Sequence, residues 1–416
     1  MAKKAGSRQP RAASDRSVTV ALIVLAVLAV GVRLGIGLTH LDQVYRFPDS
    51  QGYRQLADHL LDGRGLTMTD FAGRENRAGR MPGYPLVLAA LHGAFGPSAA
   101  PVVVTQSLLA VAAVWLAYLL GREVAGRAAG LVAAAMVALS PWQVYFATVA
   151  LTECWTAVLL LATVFCCLRI LRDGCWRWTV AAGLCAAALV YVHPQFLGLP
   201  LLLGAVAAIA PGRRQWLARW AVAVAVCAVA VAPWVVRNEK VLGRPVPATT
   251  RFGATLYDGV NPAATGGSDM RFERQLRGDT DALDELAYDA YYRRAAWRAI
   301  HDEPGRVLAL VPAKLRRLWS PTPNLDEGQR ALYRWASGLA YVPMMAGALL
   351  GVLVLVRRPG ALALLAAPVV LVTAAAAVMV GSIRYRVPVE PMLFVLAGAA
   401  AAWVLRGSQA FDRSQE

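Results

Sequence analysis

Charge is scarce in this 416-residue chain: Asp, Glu, Lys and Arg make up 16% of it, against about 25% in soluble globular domains. Acids are the scarcer sign, 26 against 42 bases, for a formal net charge of +16. Cysteine is sparse as well. The six present, Cys154, Cys166, Cys167, Cys175, Cys185 and Cys227, lie in or beside apolar stretches without zinc-ligand spacing, so buried free thiols are expected. The chain has no P-loop, no HExxH, no GxSxG and no internal repeat, which removes the commonest phosphate-loop, zinc-protease and serine-hydrolase chemistries. No acidic cluster has divalent-ion spacing, so neither a metal nor another cofactor is expected.

Apolar residues are what is there. They form 57% of the chain, and the mean hydropathy is +0.48. They fall in blocks of about 20, the length that crosses a ~30 Å hydrocarbon core as a helix. The expected fold is an all-α polytopic membrane protein with about ten spans. These are placed near 18–38, 100–120, 126–143, 147–170, 177–192, 195–211, 216–236, 333–356, 361–380 and 388–405. The apolar stretch 83–95 is short and holds Gly and Pro, which suits a surface-lying or re-entrant helix.

The distribution of Lys and Arg orients the chain. Lys3, Lys4, Arg8, Arg11 and Arg16 mark residues 1–17 as a basic cytoplasmic tail, and the absence of a small-residue cleavage site makes the first span a retained anchor. Arg122, Arg127, Arg169, Arg172, Arg177, Arg213, Arg214, Arg219, Arg357 and Arg358 follow every second span. The turns at 141–146 and 193–194 carry no basic residue. The expected organisation is therefore an N-terminal bundle over 18–236 with an outer loop at 40–82. A second outer loop or lid follows over 237–332, then C-terminal spans over 333–405 and a short cytoplasmic tail at 406–416. The high charge reports this bias, and nucleic acid is not an expected partner.

The most polar stretch is Leu41–Leu86, which holds six acids and six arginines. A helix-like run beginning at Asp49 puts Tyr53, Leu56, Ala57, Leu60 and Leu61 on one face. RMPGYP follows, where Pro82 and Pro85 are expected to forbid regular structure and lock a turn. Asp49 and Arg80 brought together would make a polar active site. A solvated connecting loop is the alternative that spacing leaves open.

Further along, Arg33 lies close enough to the outer end of its span to snorkel. Glu153, inside an apolar run at the outer level, needs a partner or a wet cavity. His193 and Pro194 divide two spans at the same boundary, where the His either is a satisfied structural residue or meets a substrate. Trp234 reads as an interface anchor, with Arg237 and Asn238 at the mouth of the seventh span. The segment after it is rich in Gly, Pro, Thr and Asn and is expected to be irregular, with a helix capped by Asp281 beyond. Arg384, Tyr385 and Arg386 stand at an outer boundary against the general bias, which points to an anionic partner such as a phosphate.

The segments DSQGYRQLADHLLDGRGL and RMPGYPLVLAALHGAFG resemble the first outer loop of bacterial C-type-fold membrane glycosyltransferases. The subgroup is the one related to protein O-mannosyltransferases and lipid A aminoarabinose transferases. The likeness continues in order through LTECW, His193-Pro194, PWVVRNEKVLGRPVP, FGATLYDGVNPAATG, the segment from Tyr291 to Trp319, and RYRVPVEPML. It implies an inverting enzyme that moves a sugar from a polyprenyl-phosphate donor to a glycan, lipid or protein acceptor at the outer face of the bacterial cytoplasmic membrane, among membrane lipids. It also implies Asp49 as the first-loop catalytic base and Arg80 on the donor phosphate; Glu153, from its own position, is the next candidate base. Arg237, Asn238, Arg384 and Arg386 would border the donor cavity. Tyr53, Tyr84, His193, Asn261 and Tyr385, in the same segments, complete the candidate substrate-binding set. Relatives often carry Arg-Pro where this chain has His193-Pro194, and Gly-Asn-Asn-Pro over 259–262. Many also continue beyond the last span. A secondary transporter and a ligase or polymerase of lipid-linked oligosaccharides are the other readings.

Overall fold

The computed structural model describes residues 10–70, 73–209, 213–323 and 331–412. Lys3, Lys4 and Arg8 of the expected basic tail, and residues 413–416 of the C-terminal tail, lie outside these, as do 210–212 at the end of the sixth expected span and 324–330 of the second loop.

Apolar runs in a bilayer must satisfy their own backbone groups, and here they do so as helices. In chain order these begin with α1 (Pro10–Leu38), α2 (Pro48–Leu61), a hairpin of β1 (Met68–Thr69) and β2 (Glu75–Asn76), α3 (Gly83–Phe95), α4 (Ala100–Ala125), α5 (Arg127–Leu139) and α6 (Pro141–Ala147). Next come α7 (Glu153–Asp173), α8 (Trp176–Val192), α9 (Leu199–Ile209) and α10 (Arg213–Leu242). The second loop holds α11 (Phe252–Val260), the single turns α12 (Phe272–Gln275) and α13 (Arg277–Thr280), α14 (Glu285–Asp302) and α15 (Pro304–Leu318). The chain closes with α16 (Ala331–Leu355), α17 (Pro359–Val378), α18 (Ile383–Arg386) and α19 (Glu390–Asp412).

Among the described residues, seven helices are long and apolar enough to cross a membrane, and α5 with α6, bent by 50°, makes an eighth. The ten expected spans correspond to these eight plus the shorter α8 and α9. The chain is thus an all-α polytopic membrane protein, its count of full-length spans slightly under the expected ten. The last of them is central: 83% of the apolar stretch Ile383–Arg406 is buried, against 22% for α1. Glycines let it be central. A Cβ at Gly351 would stand 2.0 Å from the Leu396 carbonyl oxygen and one at Gly398 2.3 Å from that of Ala129, so α16 and α5 approach α19 backbone to backbone.

Several local expectations change. Arg33 does not snorkel; it is 2% exposed and donates to the carbonyls of Val137 and Ala138, capping the end of α5. Pro85 does not forbid structure, because it lies in the first turn of α3, where its missing N–H has no helical partner to lose. The segment 141–146 is helix α6, with Pro141 at its start and the Ser140 hydroxyl accepting from the Gln143 N–H. Asp281 is not the N-cap of α14 but closes α13; Asp284 is the N-cap, accepting from the Ala287 N–H at 2.7 Å. Residues 252–260 form α11 rather than an irregular loop, since a helix there lays Ala254, Leu256 and Val260 against α14. Leu61 turns outward, 50% exposed, while Tyr53, Leu56 and Ala57 are buried.

The two large loops are tied together by one acid. Glu285 accepts from the Arg77 N–H (2.7 Å), the Ala78 N–H (2.8 Å) and the Thr250 hydroxyl. An aromatic cluster of Tyr257, Phe272, Tyr288 and Tyr292 supports it from within the second loop. The two loops thereby enclose a space above the N-terminal end of α7.

Candidate active site

Pro48 starts α2 with its φ already set for a helix, and Asp49 follows in the first turn, where a negative charge is favoured. The Asp49 carboxylate caps no backbone group. Arg80, just before α3, donates to one oxygen at 2.5 Å, and Arg384 on α18 donates to the other at 2.5 Å. Arg384 also gives its Nε–H to Glu153, in the first turn of α7. Arg80, Asp49, Arg384 and Glu153 therefore form one alternating chain of four charges drawn from four segments.

Exposure separates the two acids. The Glu153 side chain is 1% exposed, whereas that of Asp49 is 29% exposed. Burial, the largest influence on Asp49, raises its pKa, but Arg80 and Arg384 together outweigh burial and hold the carboxyl well below the usual carboxylate range. Arg80 sits over the Tyr53 ring at 5.2 Å, and Tyr53 meets Tyr84 edge to face. The Tyr84 hydroxyl donates to Gln106, whose amide holds the carbonyls of Ala147 and Val149 in the turn leading to α7. The tyrosines thus fix Arg80 and Glu153 relative to one another.

Asp49, Arg80 and Tyr385 open onto a cavity of about 960 Å³. Its far wall comes from the loops: Arg251 pairs with Glu273 at 2.7 Å, the Tyr288 hydroxyl donates to Glu273 at 2.8 Å, and Arg74 stacks 3.6 Å from the Tyr288 ring centre. Sequence reasoning left these four residues out. Their only signal was a run of charge and aromatics without a motif.

His193, at the end of α8 beside Phe196, stands within electrostatic reach of Arg384 and Asp49, and its Nδ1 lacks a hydrogen-bond partner. The structure places the remaining candidates elsewhere. Arg237 and Asn238 lie inside α10, which runs on to Leu242; Arg237 donates to the carbonyls of Leu66 and Arg77, and Asn238 to that of Val246. Asn261 shapes its own turn. Arg386, though two residues from Arg384, is fully buried and pairs with Glu390 at 2.9 Å while donating to the carbonyls of Leu318 and Ser320. Among the described residues no three His, Cys, Asp or Glu side chains are grouped to hold a metal ion. All six cysteines are free.

The backbone as a whole matches the oligosaccharyltransferase AglB from Archaeoglobus fulgidus, in a complex with an inhibitory peptide and a dolichol-phosphate. The TM-score is 0.61 at 14% identity, over 97% of this chain and 52% of that one. This is the C-type glycosyltransferase fold. A second Archaeoglobus fulgidus oligosaccharyltransferase structure, tethered to an acceptor peptide, gives a TM-score of 0.59 at 15% identity over 96% and 51%. The chain spans about half the length of AglB. ArnT from Cupriavidus metallidurans bound to undecaprenyl phosphate superposes more loosely, with a TM-score of 0.45 at 14% identity over 95% and 79%. Residues 79–236 match the family model described as dolichyl-phosphate-mannose-protein mannosyltransferase, a stretch that includes Arg80, Glu153 and His193 but neither Asp49 nor Arg384. No curated protein matches the sequence.

Proposed function

We propose that the protein is an inverting glycosyltransferase that takes a sugar from a polyprenyl-phosphate donor and passes it to an acceptor hydroxyl at the outer face of the bacterial cytoplasmic membrane. The reading is carried by one observation: a solvent-reached carboxylate, Asp49, is held between two arginines at the floor of a large polar cavity. It agrees with the C-type fold, with the mannosyltransferase family model over 79–236, and with the dolichol-phosphate held by AglB.

Both guanidiniums bond Asp49, and Arg384 bonds Glu153 as well. A donor phosphate offers them another anion, and planar, forked guanidiniums bind phosphate well. As Arg80 and Arg384 turn to the phosphate, Asp49 loses the positive charge that depresses its pKa and becomes a better base. Asp49 then takes the acceptor's proton while the acceptor oxygen bonds the anomeric carbon from the face opposite the phosphate. The bond from that carbon to the phosphate oxygen breaks, and polyprenyl phosphate leaves with its charge held by the arginines. A positioned base contributes about 10²–10⁴ in rate. Fixed cations at the leaving group act in the transition state, where charge develops. Glu153 acts through Arg384, as a positioning residue. Tyr385, lining the same cavity, contacts substrate, and the loops over 243–320 form a lid. Tyr53, Tyr84, Arg237, Asn238, Asn261 and Arg386 support this frame, with His193 at its edge.

The test is transfer from labelled polyprenyl-phosphate sugars in membranes holding wild type or Asp49→Asn. Transfer by wild type that drops at least a hundred-fold in a folded mutant supports the reading. Undiminished transfer in the mutant refutes Asp49 as base. No transfer from any monosaccharide donor by correctly inserted wild type refutes the reaction, and transfer from a lipid-linked oligosaccharide instead would make it a ligase.

A further inference from the structure

A second charged cavity lies at the opposite end of the bundle. Glu153 and Asp173 terminate α7, and 21 residues at about 1.5 Å each place these ends ~30 Å apart, the thickness of the hydrocarbon core. At the Asp173 end, the C-termini of α4 and α19 and the turn between α16 and α17 enclose about 440 Å³. Arg122, Arg172, Arg358 and Arg406 line this space around a single carboxylate, Glu123.

Part of this charge has a structural use. The last carbonyls of a helix attract cations, and Arg358 gives an N–H to the Val124 oxygen (2.6 Å) and Arg406 one to the Ala125 oxygen (2.5 Å), closing α4. Arg172 and, at 3.0 Å, Arg169 share Glu123. Capping α4 does not account for Arg122, which stands 4.0 Å from Glu123 with nearly half its side chain exposed. Nor does it use up five donors on each guanidinium. One wall of the cavity is apolar, formed by the half-buried Val354 and by Trp403, which is 58% exposed as aromatic anchors at a membrane surface are.

We propose that this cavity binds the phosphate headgroup of an anionic phospholipid from the leaflet opposite the Asp49 site. The phosphate lies among Arg122, Arg172, Arg358 and Arg406, and an acyl chain runs down Val354 and Trp403. Basic pockets between helix ends at a membrane surface suit such headgroups. The apolar wall favours a lipid over a free anion, because inorganic phosphate leaves it uncovered.

The experiment is native mass spectrometry of the full-length protein released from detergent with added phosphatidylglycerol, cardiolipin or phosphatidylcholine. Wild type, Arg122→Gln and the double variant Arg122→Gln/Arg406→Gln are compared. Retention of the anionic lipids over phosphatidylcholine is expected. It should weaken about five-fold in Arg122→Gln and about thirty-fold in the double variant. Arg122→Gln removes no bond to the α4 carbonyls, so it decides the matter if the double variant fails to fold. Equal retention of phosphatidylcholine overturns the proposal, as does unchanged retention of anionic lipid by Arg122→Gln. Displacement of bound anionic lipid by millimolar inorganic phosphate also overturns it, by assigning the site to a free anion.

Discussion

The ion pair between Glu153 and Arg384 should be strongly coupled, and a double-mutant cycle measures it. Glu153 is 1% exposed, one of its oxygens is held by Arg384, and the other has no hydrogen-bond partner. Its charge is therefore balanced by Arg384. Removing one member of a buried pair typically costs about 3–5 kcal/mol. Glu153→Gln should fall at or below the lower end, about 2–3 kcal/mol, because Arg384 keeps Asp49 as a second partner and is 19% exposed. Arg384→Gln should cost more, since it strands Glu153 beside Asp49. The double variant removes both charges and should be less damaged than the sum, with a coupling energy of about 2 kcal/mol. The assay is denaturant unfolding in detergent micelles for the four proteins, with sugar transfer alongside. Glu153→Gln should lower turnover at saturating donor more than it raises the donor KM, as a positioning role requires. Single-variant costs that sum to the double within about 0.5 kcal/mol would refute the coupling.

Other outcomes follow from the same geometry. Because the folded-state pKa of Asp49 is depressed, its contribution is present above the ordinary value of about 3.9 and lost only as pH falls below it. The stability gap between wild type and Asp49→Asn should thus stay constant from pH 5 to pH 8, and thermal melts that close the gap by pH 5 contradict the clasp. Arg80→Lys should retain part of the activity and Arg80→Ala should lose about 10²-fold or more, because a point charge replaces a fork in the first case and nothing does in the second; equal rates would remove Arg80 from the phosphate. Gly381→Ala should prevent correct docking of α15, as its Cβ would lie 1.9 Å from the Lys314 carbonyl oxygen; an unchanged melting temperature counts against that packing. Arg237→Ala should loosen the first loop, seen as faster proteolysis near Leu66 and Arg77, while its donor KM stays within about two-fold.

Where the sequence was legible, the reason is that lipid leaves the backbone few choices. Apolar length alone located the spans, and the misses came where packing decided. Arg33 looked like a snorkelling end residue, since sequence shows its distance from the span boundary and not the open carbonyls of α5, more than a hundred residues away. Asp49 and Arg80 stood out in the sequence because Asp49 opens a helix-like run and Arg80 directly precedes the proline turn, both local features. Arg384 was noticed as a cation on an unexpected side, but its double engagement with Asp49 and Glu153 depends on the turn Val387–Val389, just after α18, packing against α7, which no local pattern encodes. Arg386 shows the converse: the same unusual position, yet its charge is consumed by Glu390 and two carbonyls. Arg74, Arg251, Glu273 and Tyr288 converge only after both loops fold, so their neighbourhood is a product of tertiary structure.

If Asp49 is the base and Arg80 and Arg384 hold the donor phosphate, as proposed, the site poses a physical problem that its own geometry resolves. A base needs an affinity for protons, yet two arginines reduce that of Asp49, and the same arginines are needed at the leaving phosphate. If they stayed on Asp49, the site would hold a weak base and an unassisted leaving group. The competing anion removes both defects in one movement, since every hydrogen bond transferred to phosphate is one taken from Asp49. Glu153 keeps the movement small by holding Arg384 Nε while its other nitrogens exchange partners. Tyr53 does the same for Arg80 through its ring face. On the proposed mechanism base strength is thereby coupled to donor binding, and an acceptor arriving before the donor would meet a weaker base.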